Sequence, residues 1–331
     1  MIRPKRYRGL ALASALLLAA AANAAIEIHS LTDMIEGHQV GGVTIDLIGN
    51  IYVADFADDV WKITPEGDRQ LFATGFYGSS GNVIDNEGNL LQSSYYADTI
   101  TRIDRKGNTK PFVHAGGGLS GPVGLAIDRK SGEVYAANCR GNSLVKISKD
   151  GHVSPFATSP LFHCPNGITL DRDGNLYVVD FGDDKMLKID PNGSVAPFAT
   201  VSGKGLGHVC FKDDRLYVAA YHTHEIYEVT LAGSVERILG NGERGIVDGA
   251  PDKARLSFPN GIACDPWYPR LYINEMIGES EASLPRRAIV RKIDLEPRSP
   301  TTASAEKSVA QCSSCARRGA RSCGNGWLNA N

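Results

Sequence analysis

The chain has 331 residues, 42 % hydrophobic and 22 % charged, with a formal net charge of −2. That length suits one large domain or two ordinary ones. The first 24 residues carry four cations and no anion, so losing them takes the charge to −6, and the segment after Pro300 is itself basic. The remaining acidic body argues against nucleic acid or an anionic membrane as partner and permits a cation or a basic ligand.

Arg3, Lys5, Arg6 and Arg8 precede an apolar run at 10–22, and Ala22-Asn23-Ala24 follows as a small-x-small cleavage site. This is the pattern of a secretory signal peptide cut before Ala25. The mature chain is therefore expected in the periplasm or outside the cell. The run is too short for a comfortable membrane span, and no later stretch is longer, so no transmembrane segment is expected in the mature protein.

Beyond the leader the chain repeats itself. Pro165-Asn166-Gly167-Ile168-Thr169-Leu170-Asp171 reads as a strand, Asp173-Gly174-Asn175 as a tight turn, and Leu176-Tyr177-Val178-Val179-Asp180 as the returning strand. Gly49-Asn50-Ile51-Tyr52-Val53-Ala54-Asp55, Glu133-Val134-Tyr135-Ala136-Ala137-Asn138, Leu216-Tyr217-Val218-Ala219-Ala220 and Leu271-Tyr272-Ile273-Asn274-Glu275 repeat its second half, and Gly88-Asn89-Leu90-Leu91-Gln92-Ser93-Ser94 does so more weakly. Anchored on Asp46, Asp85, Asp128, Asp171, Lys212 and Asp265, the spacings are 39, 43, 43, 41 and 53. Each unit continues with an alternating third strand, such as Met186-Leu187-Lys188-Ile189, and a Gly turn. A fourth strand then ends in Phe and small residues, as in Pro197-Phe198-Ala199-Thr200. Proline there suits an outer edge.

Six such units without a convincing helix predict an all-β, six-bladed β-propeller of four-stranded antiparallel blades. The sixth unit lacks a good fourth strand, and 26–31 alternates like one, so this N-terminal strand is expected to complete the last blade and close the ring. The domain plan is a signal peptide at 1–24, the propeller at 25–300 and a disordered tail at 301–331. The long fifth spacing contains a Gly-rich insertion at 240–249. Its Gly240, Gly242 and Gly245 lack the βαβ context of a dinucleotide site.

Of seven cysteines, Cys139 and Cys164 sit at strand ends, where a bond between neighbouring units is open to them. Cys210 and Cys264 fall inside predicted strands and read as buried free thiols. In the tail, Cys312-Ser313-Ser314-Cys315 is followed by Ala316, without the His of a c-type haem site.

The repeated "PNGI" and "DGNLYVVD" phrases, with "LGNGERGIVDGAPDKARLSFPNGIACD", resemble NHL-repeat propellers and the wider six-bladed group that includes the senescence-marker-protein/gluconolactonase family. The resemblance spans roughly residues 26–297. It implies one divalent cation (Ca, Mg, Mn or Zn) at the channel mouth, held by carboxylate and Asn oxygens where each first strand begins. Asn166 and Asn260 match that pattern; Gly41, Ser80, Val123 and Gly207 do not, and no carboxylate stands at these inlet positions.

The end of each second strand opens on the same side. These outlet residues are Asp55, Ser94, Asn138, Asp180, Ala220 and Glu275, so a displaced metal set drawn from Asp55, Asp180 or Glu275 is a candidate. Asp55 and Asp180 are also placed to accept backbone N–H groups of the next turn. His208 stands where other units carry Gly, which makes it the candidate catalytic base. His38, His163, His222, His224 and Asn138 are candidate binding residues. The leading expectation is a monomeric, exported binding module for a small molecule or protein segment. A metal-dependent lactone or ester hydrolase is the alternative, and a His-based lyase the second.

Overall fold

The computed structural model describes residues 26–32, 35–37, 39–277 and 286–296. The leader and tail expectations lie outside these residues. The described chain belongs to one compact unit, built of strands and turns with no α-helix.

Two strands come first, β1 (Glu27–Ser30) and β2 (Ile35–Gly37). Blade 1 is β3 (Val43–Ile45), β4 (Ile51–Ala54), β5 (Asp59–Ile63) and β6 (Arg69–Thr74). Blade 2 is β7 (Ser79–Ile84), β8 (Leu90–Ser94), β9 (Thr99–Ile103) and β10 (Thr109–Val113). Blade 3 is β11 (Pro122–Ile127), β12 (Val134–Asn138), β13 (Ser143–Ile147) and β14 (Val153–Thr158). Blade 4 is β15 (Pro165–Leu170), β16 (Leu176–Asp180), β17 (Lys185–Ile189) and β18 (Val195–Thr200). Blade 5 is β19 (Leu206–Lys212), β20 (Arg215–Ala220), β21 (Glu225–Thr230) and β22 (Val235–Leu239). Blade 6 holds β23 (Pro259–Cys264), β24 (Arg270–Ile277) and β25 (Arg286–Asp294). Its outermost strand is β1, antiparallel to β25 with Glu27 opposite Asp294 and Ser30 opposite Arg291. β2 also pairs with β25.

The repeated residues have identifiable tasks. The anchor Asp holds the hairpin turn: Asp171 Oδ1 accepts the N–H groups of Asp173 and Asn175, each at 2.9 Å, and Asp46 and Asp85 bind their i+2 and i+4 N–H groups in the same way. The second-strand Tyr donates to that Asp at 3.2 Å in blades 1 and 4. Its ring meets the edge-strand Phe at 5.0 Å (Tyr52–Phe72), 4.8 Å (Tyr135–Phe156) and 4.8 Å (Tyr177–Phe198). Pro111, Pro155 and Pro197 lie on the outermost strands, each beside a register shift, where a missing N–H breaks no ladder.

Blades bury their faces against one another. Six apolar clusters among the described residues each join two consecutive blades. One contains Val179, Val209 and Leu216, from blades 4 and 5; another contains Val43, Ile51, Tyr272 and Val290, from blades 1 and 6. Each fully buried Leu, Ile or Val contributes roughly 1.5–3 kcal/mol, so the junctions rather than the single blades stabilise the ring.

Two disulfides also cross junctions. Cys139–Cys164 joins blades 3 and 4, and Cys210–Cys264 joins the first strands of blades 5 and 6. The second bond corrects the reading of Cys210 and Cys264 as free thiols. They lie on adjacent innermost strands, and packing of the two blades brings them into bonding range.

Candidate functional site

The inlet end of each first strand pairs with the outlet end of the second: Pro165 faces Asp180, Pro259 faces Glu275 and Leu206 faces Ala220. All inlet and outlet residues therefore share one end of the ring. Around the inlets the innermost strands approach closely. A Cβ on Gly124 would lie 2.2 Å from Asn166 O, and one on Gly261 would lie 2.8 Å from Gly41 O, so only glycine fits. At the corresponding place in blade 5 stands His208, and there Gly207 makes the close approach, to Asn260 O.

Asn166 and Asn260 bridge blades. The Asn166 amide donates to Leu206 O at 3.1 Å, and that of Asn260 donates to Val40 O at 2.6 Å and Gly41 O at 3.1 Å. Asn138 is tied to its own blade's inlet loop, accepting from Ser120 N and donating to Gly118 O. His208 is buried and its Nε2 has no hydrogen-bond partner. Burial pushes its pKa down to about 4, so the ring is neutral at physiological pH.

The three outlet carboxylates differ. Asp55 Oδ1 accepts from Ala57 N at 2.8 Å, Asp59 N at 3.1 Å and Ser79 Oγ of blade 2 at 3.0 Å. Glu275 accepts Arg291 Nη1 at 3.0 Å and Ser257 N at 2.8 Å, with both ion-pair side chains fully buried. Arg291 also binds Asp248, and Asp248 in turn accepts from Ser30 of β1. Burial still raises Glu275 to about 7 against the opposing pull of Arg291.

Asp180 is fully buried, and neither of its oxygens has a hydrogen-bonding partner. Burial raises it to about 7; the nearby His163 N–H favours the charged form without reaching hydrogen-bonding geometry, and the Asp183 charge disfavours it. Ligand atoms of His163, Asp180 and Asp183 all lie within 4.8 Å of one another.

Of the other candidates, His222 is exposed and rests against Phe181 (5.7 Å) and Tyr221 (5.1 Å). His224 Nδ1 accepts Phe258 N at 3.2 Å, and burial lowers its pKa. His38 lies outside the described residues. The structure thus gathers the inlet and outlet candidates at one end, with Asp55 and Glu275 engaged by protein donors.

The residues directly after the outlets are Phe56, Tyr95, Cys139, Phe181, Tyr221 and Met276; of these the sequence pattern points only to Cys139, as a disulfide candidate. Neighbours touch from blade to blade: Phe56–Tyr95 at 5.8 Å, Tyr95 Oη–Cys139 Sγ at 4.0 Å, Phe181–Tyr221 at 5.8 Å and Tyr221 Oη–Met276 Sδ at 4.0 Å. Tyr96 and Tyr77, 49 % and 64 % exposed, extend this collar beside Phe56 and Tyr95. Its sequence signal was a constant offset of one from the outlet.

The class of protein is a six-bladed β-propeller. No family model matches the chain, and no curated protein matches it. Among solved structures it is similar to a gluconolactonase from Xanthomonas campestris (16 % identity, TM-score 0.63, 81 % of this chain and 89 % of that one). It is also similar to an auxiliary nutrient binding protein from Bacteroides thetaiotaomicron (13 %, 0.68, 82 % and 77 %). A third is a virginiamycin B lyase from Staphylococcus aureus, crystallised with quinupristin (17 %, 0.56, 78 % and 81 %). At these identities the likeness shows the fold alone.

Proposed function

We propose that the chain is an exported binding module that holds a small molecule with an apolar ring face at the collar end of the propeller. The collar carries this reading: the residue after each outlet position is aromatic or sulfur-bearing in all six blades, and exposed Tyr77 and Tyr96 add open ring faces. Rigid aromatic groups beside a few polar ones are the usual makeup of a small-molecule site. The two disulfides support an oxidising compartment, in line with the expected leader. The engagement of Asp55 and Glu275 by protein donors weighs against a cation held by those carboxylates.

The test is thermal denaturation of the purified protein against a panel of sugars, aromatic acids and lactones. At about 100 times Kd a true ligand adds roughly 2.7 kcal/mol. That gain should vanish in Phe56→Ala and Tyr96→Ala while the unliganded melting point barely moves for Tyr96→Ala. Undiminished binding by both variants would remove the collar as the site.

A second reading rests on His208, whose neutral, unpartnered Nε2 suits a general base for lactone hydrolysis or elimination. Turnover of any panel member that disappears in His208→Gln, with binding retained, would replace the binding module by an enzyme.

A further inference from the structure

We propose that His163, Asp180 and Asp183 form a binding site for a divalent transition-metal ion of the Zn2+ or Mn2+ type on the outlet loop of blade 4. The site differs from the inlet set that the resemblance implies, and it does not depend on what the collar binds.

The donors are one imidazole nitrogen and two carboxylates, drawn from two chain segments. Their ligand atoms lie within 4.8 Å of one another; donors about 2.1 Å from a shared Zn2+ sit roughly 3.5 Å apart, so a small inward shift completes the set. Both segments are fastened. Phe181 N donates to Cys164 O and Gly182 N donates to His163 O, each at 3.1 Å. Cys164 is bonded to Cys139 of blade 3, and its N–H donates to Asn142 Oδ1 at 2.8 Å. Gly182 permits the approach, because a Cβ there would stand 2.6 Å from His163 O.

Asp180 supplies the independent observation. A carboxylate removed from water is ordinarily compensated by donors or a counter-charge. Asp180 is 0 % exposed and both its oxygens lack a donor, while the ligand atoms of His163 and Asp183 stand beside it. Lys185 does not supply the missing charge: its Nζ binds Asp183 Oδ2 at 2.7 Å, and its side chain is 45 % exposed. An arriving ion would take over Asp183 Oδ2 and release Lys185 to solvent. His163 Nδ1, at 3.3 Å from that same oxygen, already faces the place.

The nitrogen donor sets the metal class. Ca2+ and Mg2+ take oxygen ligands, whereas imidazole suits Zn2+ and its transition-metal neighbours, and the two carboxylates extend the set to Mn2+. His163 is exposed, so water fills the remaining positions and the ion exchanges freely.

The experiment is calorimetric titration of the full, disulfide-intact protein, stripped with chelator, using ZnCl2 and MnCl2, with CaCl2 as comparison. One Zn2+ or Mn2+ per chain is expected. Affinity should fall about 100-fold or more in Asp180→Asn and in His163→Ala, and stay unchanged in His152→Ala and Asp58→Asn. Asp180→Asn removes an uncompensated charge, so it keeps the fold; the melting point checks this. Bound Co2+ gives a second readout, since its visible bands should change in His163→Ala. No stoichiometric binding, equal binding by Asp180→Asn, or a preference for Ca2+ would each overturn the assignment.

Discussion

Blade 1 and blade 4 turn the same corner with nearly the same residues. Asp55-Phe56-Ala57-Asp58-Asp59 follows β4, and Asp180-Phe181-Gly182-Asp183-Asp184 ends β16. In blade 1 the third strand starts at Asp59, four residues after the outlet carboxylate; in blade 4 it starts at Lys185, five residues after. The shorter loop aims the N–H groups of Ala57 and Asp59 at Asp55. The longer one hands this task to Asp183, which accepts from Lys185 N. The next blade adds a second difference. Ser79, first in β7, donates its hydroxyl to Asp55, while the corresponding Leu206 of β19 has none to give. One inserted residue and one neighbouring side chain turn a satisfied structural carboxylate into an unsatisfied buried one. Blade 6 shows a third outcome, in which Glu275 is compensated by Arg291.

The largest expected effect breaks that third outcome. Arg291→Leu strands Glu275 in the interior and should cost about 3–5 kcal/mol in urea denaturation, as removal of one partner of a buried ion pair does. We further propose that β1 clasps the ring, so deleting residues 26–31, which also takes Ser30 from Asp248, should lower the melting point by a comparable amount. Asp55→Ala orphans its donors and should cost about 2–3 kcal/mol, whereas Asp180→Ala in metal-free protein should cost far less. Ser79→Ala, removing only one donor, should cost about 1 kcal/mol.

The last effect depends on pH and, in its sign, on metal. Asp180 is raised from 3.8 to about 7. Below 3.8 it is protonated in both folded and unfolded chains. As pH rises from there to 7 the unfolded chain loses its proton first, so stability falls, and the whole penalty is present above 7. Asp180→Asn should therefore raise the melting point of metal-free protein at pH 8 and leave it unchanged at pH 4. With saturating Zn2+ at pH 8 the same substitution should become destabilising. A melting point indifferent to pH in this comparison would mean that water or a rearranged loop already satisfies Asp180.

Much of the fold was legible because each repeat spells its local tasks. The Asp turn, the Tyr–Phe contact and the edge Pro are short-range devices, so period and alternation revealed the blades and the 26–31 strand that pairs with β25. The candidate site was legible only in part. Asp55 behaves as the turn-capping reading expects, and Asp180, after a similar Tyr-Val run, does not. His208 stood out because a side chain replaced Gly, and the structure finds it buried with a free nitrogen. The collar was visible as a constant offset but carried no recognised motif. The bond between Cys210 and Cys264 was hidden, since its partners are 54 residues apart and meet only where two blades pack.

By itself the sequence determined how many blades there are, where each hairpin turns and which strand faces are apolar, because these follow from side-chain period and local hydrogen bonding. Only the tertiary structure decided which buried carboxylates find partners. A partner for an outlet carboxylate comes from the next blade or from a loop whose path one residue can change, and neither is written next to it in the chain.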